Sequence, residues 1–599
     1  MRKRFCVVFL VTLLLPVFFF MITKKSTSES WVQTNGPYGG YVHCFAIGGK
    51  YIFAGTEGGG VFLSSNNGES WKEVNLGLIS KNVYSLAISD KNIFAGTNGG
   101  VFVSSISDVS WELIDSALTD TIVLSLTANN DNIYAGTSNG IFYSADNGMS
   151  WKEAGNSLLS MNVNSVTVSG ANIFAGTEDG GIFRSADNGV NWSQINTGLT
   201  ILQINSLSVS GSTIYAGTYG GGVFASNNNG ASWRAVNAGL SNKYVYSLAT
   251  SGNKVFAGTE DGIFLSDNNG ASWEAVNSGL TNRFTYSLII SDSNIFAGTS
   301  GGGVFLSTND GTSWNVVNTG LINTHVSSFA ISETEIFAGT NGAGVFLSED
   351  NGTIWRQVNT GLTNSYIFSL AISGTNIFAG TNGGGIYLSA DKGSSWREVN
   401  TGLTNKYIYS LAVSGTNIFA GTFGGGVFLS SDNGSTWRSV NKGLMNTNIG
   451  SLVVSGTDLF AGTFGGGVFL SSDNGSIWKA VNTGLTNTQI FSLAASGGFI
   501  IAATPGEGVF LSGSSGVSWK PVNSGLSNTN VDSLAIKGST ILAGTYGGGI
   551  FYSSNKGRSW RKVNSGLENI DVYSILTSDT NILAGTSGRG VWKRTPLPE

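Results

Sequence analysis

From residue 31 onward the chain repeats one pattern of apolar runs and polar breaks. Residues 405–440 show it in full: NKYIYSLAVSGTNIFAGTFGGGVFLSSDNGSTWRSV. The apolar runs predict four strands, A over 408–413, B over 417–422, C over 426–431 and D starting at Trp437. Ser414-Gly415-Thr416 supplies the A–B turn, and the glycines at 424–426 supply the B–C turn, where positive φ is expected. Asp432-Asn433-Gly434 predicts a C–D hairpin, because Asn-Gly suits a tight turn between strands. Strands A to C are apolar on both faces, so the sheet must be covered on both sides. Neighbouring blades of a β-propeller do this, whereas a helical solenoid needs a 3.6-residue period that is absent.

Tryptophan marks the repeat. Trp71, Trp111, Trp151, Trp192, Trp233, Trp273, Trp314, Trp355, Trp396, Trp437, Trp478, Trp519 and Trp560 follow one another at 40 or 41 residues. The B-strand signature A-G-T, with Ala502-Ala503-Thr504 as a variant, occurs fourteen times. Strand D also occurs fourteen times, once as Trp31-Val32-Gln33 with no hairpin ahead of it, while the last unit lacks a D strand. An N-terminal strand that completes the final blade would leave no open edge. The expected fold is therefore all-β, a propeller of 14 four-stranded blades of about 41 residues. Two seven-bladed rings are favoured over one ring of fourteen, since propellers carry four to eight blades. With every hairpin intact, the first ring runs over 31–318, the second over 319–599, and Trp31 closes the second. The alternative has Trp31 closing the first ring and Trp314 the second.

Composition narrows the setting. Only 11% of the 599 residues are charged, 86 are Gly and the formal charge is −5. Such a surface, without basic blocks, argues against nucleic acid as a partner. Residues 1–25 read as a targeting segment: Arg2, Lys3 and Arg4 precede an apolar stretch from Cys6 to Ile22. This signal peptide or signal anchor implies an extracytoplasmic chain, with membrane contact through that segment alone. Cys44 is then the single cysteine of the mature chain, so packing without disulfides must hold the fold.

The hairpin motif carries a resemblance. Ser144-Ala145-Asp146-Asn147-Gly148-Met149-Ser150-Trp151 and Ser430 to Trp437 fit S-x-D-x-G-x-[ST]-W, the Asp-box or BNR repeat. The unit resembles propeller repeats of photosystem II stability/assembly factor-like proteins, xyloglucanases and sortilin-type receptors. That resemblance implies the fold; the box recurs in enzymes, receptors and assembly factors, so it does not fix an activity. The box position is Asp at Asp146, Asp187, Asp350, Asp391, Asp432 and Asp473, and Asn at Asn66, Asn228, Asn268, Asn309 and Asn555. A calcium site would not exchange carboxylate for amide so freely, whereas a turn cap accepts both. The box is thus expected to be structural, with Trp151, Trp192, Trp355, Trp396, Trp437 and Trp478 covering their hairpins. Xyloglucanase-like relatives carry an acid in a T-D-x-G-G type stretch before the first strand A. Here Thr34-Asn35-Gly36-Pro37-Tyr38-Gly39-Gly40 stands there without one, which argues against hydrolysis. No catalytic residue, metal site or cofactor is expected.

Candidate binding residues lie where units differ. The position after A-G-T includes Tyr219, Phe423, Phe464 and Tyr546, and the position before strand A carries Tyr244, Phe284, His325, Tyr366 and Tyr407 in five successive units. In a meander both positions share one end of every blade, opposite the hairpins. Rings there would suit the apolar faces of sugars or the side chains of a protein. The expectation is a non-catalytic exported scaffold that binds protein or polysaccharide on its loop face. A xyloglucanase-like glycoside hydrolase and a purely structural surface protein are the rivals.

Overall fold

The computed structural model describes residues 30–34 and 39–595, apart from 115, 120, 130–131, 155, 292, 320–321, 333–334, 514–515, 569 and 579–580. The leader 1–25 and the stretch 35–38 lie outside the described residues. The chain forms fourteen four-stranded antiparallel sheets, each with strands in the order A-B-C-D. Blades 1 to 7 begin at Val42, Val83, Val123, Val163, Ile204, Val245 and Thr285; blades 8 to 14 begin at Val326, Ile367, Ile408, Ile449, Ser492, Val531 and Val572.

The blades close into two rings of seven. Strand A of blade 7 packs on strand A of blade 1, and strand A of blade 8 packs on that of blade 14. Blade 7 keeps its own strand D, Asn315–Val316, so the first ring closes by side-by-side packing. In the second ring Val32–Gln33 pairs with Val591–Arg594 and becomes the missing D strand of blade 14.

Repeated polar ties join each blade to the next. Trp437 Nε1 donates to the Val399 carbonyl of the preceding blade at 2.7 Å, and the same bond recurs at Trp111, Trp233, Trp273, Trp314, Trp396, Trp478, Trp519 and Trp560. It also spans the first ring's seam, Trp71 to Val317, while Trp31 donates to Val563. At the second seam Trp355 reaches Thr34 Oγ1. The indole also lies against its own hairpin, a Cβ on Gly352 or Gly557 standing 3.5 Å from the ring of Trp355 or Trp560, so one ring both covers the turn and ties two blades. Trp192 departs from this pattern, half-buried and bonded to Gly189 three residues away. Near the axis, strand-A serines make a second girdle, in which Ser369 Oγ accepts from Leu411 N and Ser410 Oγ from Leu452 N. Ser287 and Ser574 donate across the two seams to the Val42 and Val326 carbonyls.

The A-G-T motif has a packing cause. A Cβ on Gly380 would stand 2.5 Å from Ile408 Cγ2, so glycine lets the next blade's first strand-A residue approach strand B. The threonine hydroxyl spans the B–C loop, Thr422 Oγ1 donating to the Gly426 carbonyl at 2.9 Å.

The observed hairpin geometry explains the mixed box. Ser430 Oγ donates to Asp432 Oδ1, which also accepts from Thr436 N, while Thr436 Oγ1 donates to Asp432 Oδ2 at 2.6 Å. In the amide version, Asn228 Oδ1 accepts from Ser226 Oγ and Ser232 N, and its Nδ2 donates to Ser232 Oγ at 2.9 Å. A hydroxyl serves either polarity, so both residues satisfy the turn. Asn433 and Gly434 both take positive φ, as the hairpin requires.

Candidate functional site

The two rings meet through their B–C loop ends. Gly39–Gly40 pairs in parallel with Ile322–Asn323 of the inter-ring connection, and Gly40 N donates to the Gly301 carbonyl at 3.0 Å. The loops of blades 7 and 8 touch backbone to backbone: a Cβ on Gly301 would fall 1.9 Å from the Asn341 carbonyl oxygen. Asn282 Nδ2 donates to both Ser300 and Gly342 carbonyls at 2.8 Å, and Tyr366 Oη donates to Ser300 at 3.0 Å. On the other flank Arg589 of blade 14, its side chain 6% exposed, forms a two-pronged pair with Glu73 of blade 1 and a bond to Glu568.

Beside the first of these contacts lies a cavity of about 700 Å³, with Glu260, Asn282 and Phe284 on one wall and Asn364, Tyr366 and Phe368 on the other. Among its lining residues Glu260 is the one carboxylate, and its Oε1 accepts from Tyr246 Oη at 2.9 Å. Arg283 at the rim pairs with Asp261 at 3.2 Å. Apart from Glu260 and Arg283, the lining is made of amides, hydroxyls, rings and two leucines. A second cavity of about 570 Å³, on the Arg589 flank, is charged, with Lys81, Glu568 and Asp571 in its walls.

Aromatic rings lead away from the first cavity on both walls. On the first ring Phe284 packs on Tyr286 at 4.7 Å and on Tyr246 at 5.0 Å. Tyr246 continues to Tyr219 and Tyr244, and Tyr286 continues to His43 and Tyr84. On the second ring Phe368 packs on Tyr409 at 4.9 Å, which continues to Phe423, Phe464 and Phe491.

These arrays combine candidates read from the sequence with residues that reading missed. The residue after A-G-T and the one before the next strand A form backbone bridges: Tyr219 with Tyr244, Asn382 with Tyr407, Phe423 with Asn448 and Phe464 with Gln489. Tyr219, Tyr244, Tyr407, Phe423 and Tyr546 are exposed. Phe284, Tyr366 and Phe464 are half-buried. His325 stacks on Tyr573 at 4.3 Å, and burial pushes its pKa down to about 4.

The missed set is the second residue of strand A, His43, Tyr84, Tyr246, Tyr286, Phe368, Tyr409 and Tyr573, with Phe491 just ahead of strand A in blade 12. In most blades the ladder skips this residue, as between Val245 and Ser247 or Ile408 and Ser410. Such a bulge re-aims the side chain out of the regular alternation. Its trace in the sequence is the repeated aromatic-Ser pair of VYSL, TYSL, IFSL and IYSL.

Charged groups gather where the two mouths face each other. Glu57 Oε2 lies 3.3 Å from His43 Nε2, and that hydrogen bond holds its carboxyl below the usual range. Asp532, the counterpart of the missed aromatics in blade 13, is raised to about 6 by burial and by the charge of Asp571. Among the described residues no group of three or more His, Cys, Asp or Glu forms a metal cluster, and no helix is long and apolar enough to cross a membrane.

Comparison with known proteins agrees with this architecture. Residues 142–244 and 223–335 match the DUF6242 beta propeller domain family. No curated protein matches the chain. Among solved structures, a GH74 xyloglucanase from Xanthomonas campestris aligns with a TM-score of 0.62 at 15% identity, covering 95% of this chain and 100% of the other. A GH74 enzyme of Niastella koreensis gives 0.58 at 18% identity over 95% and 100%. PorZ, a surface component of the type-IX secretion system of Porphyromonas gingivalis, gives 0.57 at 15% identity over 94% and 87%. At these identities the likeness establishes a shared β-propeller fold.

Proposed function

We propose that this chain is an exported, non-catalytic double propeller, a first unit of 31–318 and a second of 319–599, that binds a glycan or protein in the cleft between them. The observation that carries the reading is the convergence of two aromatic arrays on one amide-lined cavity that holds a single carboxylate, Glu260. Volumes of roughly 300–1,000 Å³ with few convergent polar groups are usual for ligand sites. Rings present apolar faces while amides and hydroxyls fix orientation, a combination matched to the alternating faces and edges of sugar units. The GH74 enzymes and the surface component PorZ share the fold, which supports a glycan-related or surface role. The leader at 1–25 supports export, and the hydrogen-bonded Asp-boxes are the scaffold's turn caps. The test is a binding screen of the mature chain on immobilised polysaccharides, repeated with Phe284→Ala and Phe368→Ala, one from each wall. Retained ligands should lose about tenfold or more in affinity; unchanged binding in the double variant would reject the cleft.

One observation favours a second reading, a glycoside hydrolase. Asp532, raised to about 6 by burial and by the neighbouring charge of Asp571, has the raised pKa of a general acid. Release of reducing sugar, abolished in Asp532→Asn, would establish it.

A further inference from the structure

We propose that the cleft takes an aminosaccharide, whose protonated amine is received by the Glu260 carboxylate; this rests on the cleft reading above.

The repeat shows what sets this residue apart. Glutamate follows A-G-T at Glu57, Glu178 and Glu260, and each is held by a side chain at the mouth of its own blade. Glu57 is partnered by the ring of His43, Glu178 by the amide of Asn162 and Glu260 by the hydroxyl of Tyr246. Of the three, Glu260 alone lines the cavity between the rings. Tyr246 is itself fixed, packed on Phe284 at 5.0 Å and edge-on to Tyr219 and Tyr286. Its bond occupies one carboxylate oxygen, Oε1, at 2.9 Å. The other, Oε2, accepts from no group among the described residues and keeps exposed surface. Arg283, the one cation of the lining, pairs instead with Asp261 at 3.2 Å. Those two charges cancel, and the negative charge of Glu260 is left over.

The surroundings select the ligand's chemistry. A carboxylate without a counter-ion, in a cavity walled by Phe284, Tyr366 and Phe368, favours a cation twice over: Oε2 offers it a charge-assisted hydrogen bond, and the ring faces attract the same charge. An ammonium has the N–H donors for this, whereas the hydroxyls of a neutral sugar gain less and a uronic acid is repelled. The rest of the lining chooses the carrier of the amine. On the facing wall Asn341 and Asn382 make no side-chain hydrogen bond among the described residues, so their amides are free to donate and accept. A saccharide engages every part of this surface, with ring faces on the aromatics, hydroxyls on the amides and the amine on Glu260. A lysine side chain would use the carboxylate and the rings and leave the amides idle.

The experiment is calorimetric titration of the mature chain at about pH 5.5, where carboxylates are charged and amines protonated. The probes are pentamers of β-1,4-linked glucosamine, N-acetylglucosamine and glucose, and pentalysine. The glucosamine pentamer should bind more tightly than each of the others by about tenfold or more. Glu260→Gln, whose amide oxygen can still accept from Tyr246, should reduce it to the affinity of the glucose pentamer. Glu178→Gln, away from the cavity, should change nothing. In wild type at about pH 9 the preference should vanish as the amine is discharged; the lining phenols of Tyr41 and Tyr366 stay neutral there, because burial pushes both up. A glucosamine pentamer bound no better than the glucose pentamer, with both weakened by Phe284→Ala, would overturn the inference and leave the cleft standing. So would a preference retained in Glu260→Gln or, should that variant not fold, one retained at about pH 9. Tighter binding of pentalysine would overturn the saccharide as carrier of the amine. Absence of binding by all four probes would reject the cleft reading and the inference together.

Discussion

Single side chains set the polarity of each turn. The Asp432 and Asp146 carboxyls are held down at about 2, chiefly by the hydroxyls of Thr436 and Ser150. A depressed carboxylate adds stability above its unfolded pKa and loses it as pH falls through the folded value. Asp432→Asn should therefore leave the melting temperature near wild type at pH 7, and the difference should shift against wild type between pH 4 and 2. Calorimetry at these pH values reads it. Asp532 has the opposite sign. Its raised folded pKa gives stability that is full below the unfolded value near 4 and lost as pH rises through about 6. Asp532→Asn should thus stabilise at pH 7.5 by about 1 kcal/mol after allowing for solvent screening, and hardly at all at pH 4. The interchange of Asp and Asn in the box was legible in the sequence, because the same column carries both. The junction role of Asn282 was not: the same asparagine stands ahead of strand A at Asn364 and Asn405, and only the facing loop of blade 8 brings the Gly342 carbonyl to its amide nitrogen.

At the level of strands and blades, the period, the four-strand unit and the turns could all be read directly, since glycine, Asn-Gly and apolar runs report local geometry. Strand D starts one residue later than the sequence suggests. At Arg438–Ser439 it holds two residues, because Trp437 itself faces the preceding blade. The bulge in strand A also escaped the pattern, since a strand apolar on both faces has no alternation for a bulge to interrupt. The Trp ties give a graded prediction. Trp233→Ala, removing a buried ring and a bond to the neighbouring blade, should cost about 3–5 kcal/mol. Trp192→Ala, from a half-buried ring with a local bond, should cost clearly less. Urea denaturation of the two variants compares them.

For the whole molecule, the count of fourteen blades pointed to two rings, but how they face each other depends on contacts separated by hundreds of residues. The Arg589 pair with Glu73 spans 516 positions. Removing one partner of a buried ion pair costs roughly 3–5 kcal/mol, and less here because Glu568 stays beside Arg589. Glu73→Gln should accordingly loosen the junction, seen as a larger radius of gyration in small-angle scattering, while each ring keeps its circular dichroism. The cleft's amide and aromatic lining belongs to this scale too, because its two walls come from blades 6–7 and 8–9, which share the repeat but not the loop residues.

The N-terminal strand in blade 14 imposes an order on biosynthesis. Residues 32–33 are made ahead of all fourteen blades, yet their pairing partner at 591–594 belongs to blade 14. The first propeller has all its blades once blade 7 is made and closes without borrowing. Vectorial synthesis thus produces a finished ring that waits, its leading ribbon unpaired, until the final hairpin arrives to latch the other. A chain stopped before residue 572 would carry a sound first ring and a permanently gaping second one.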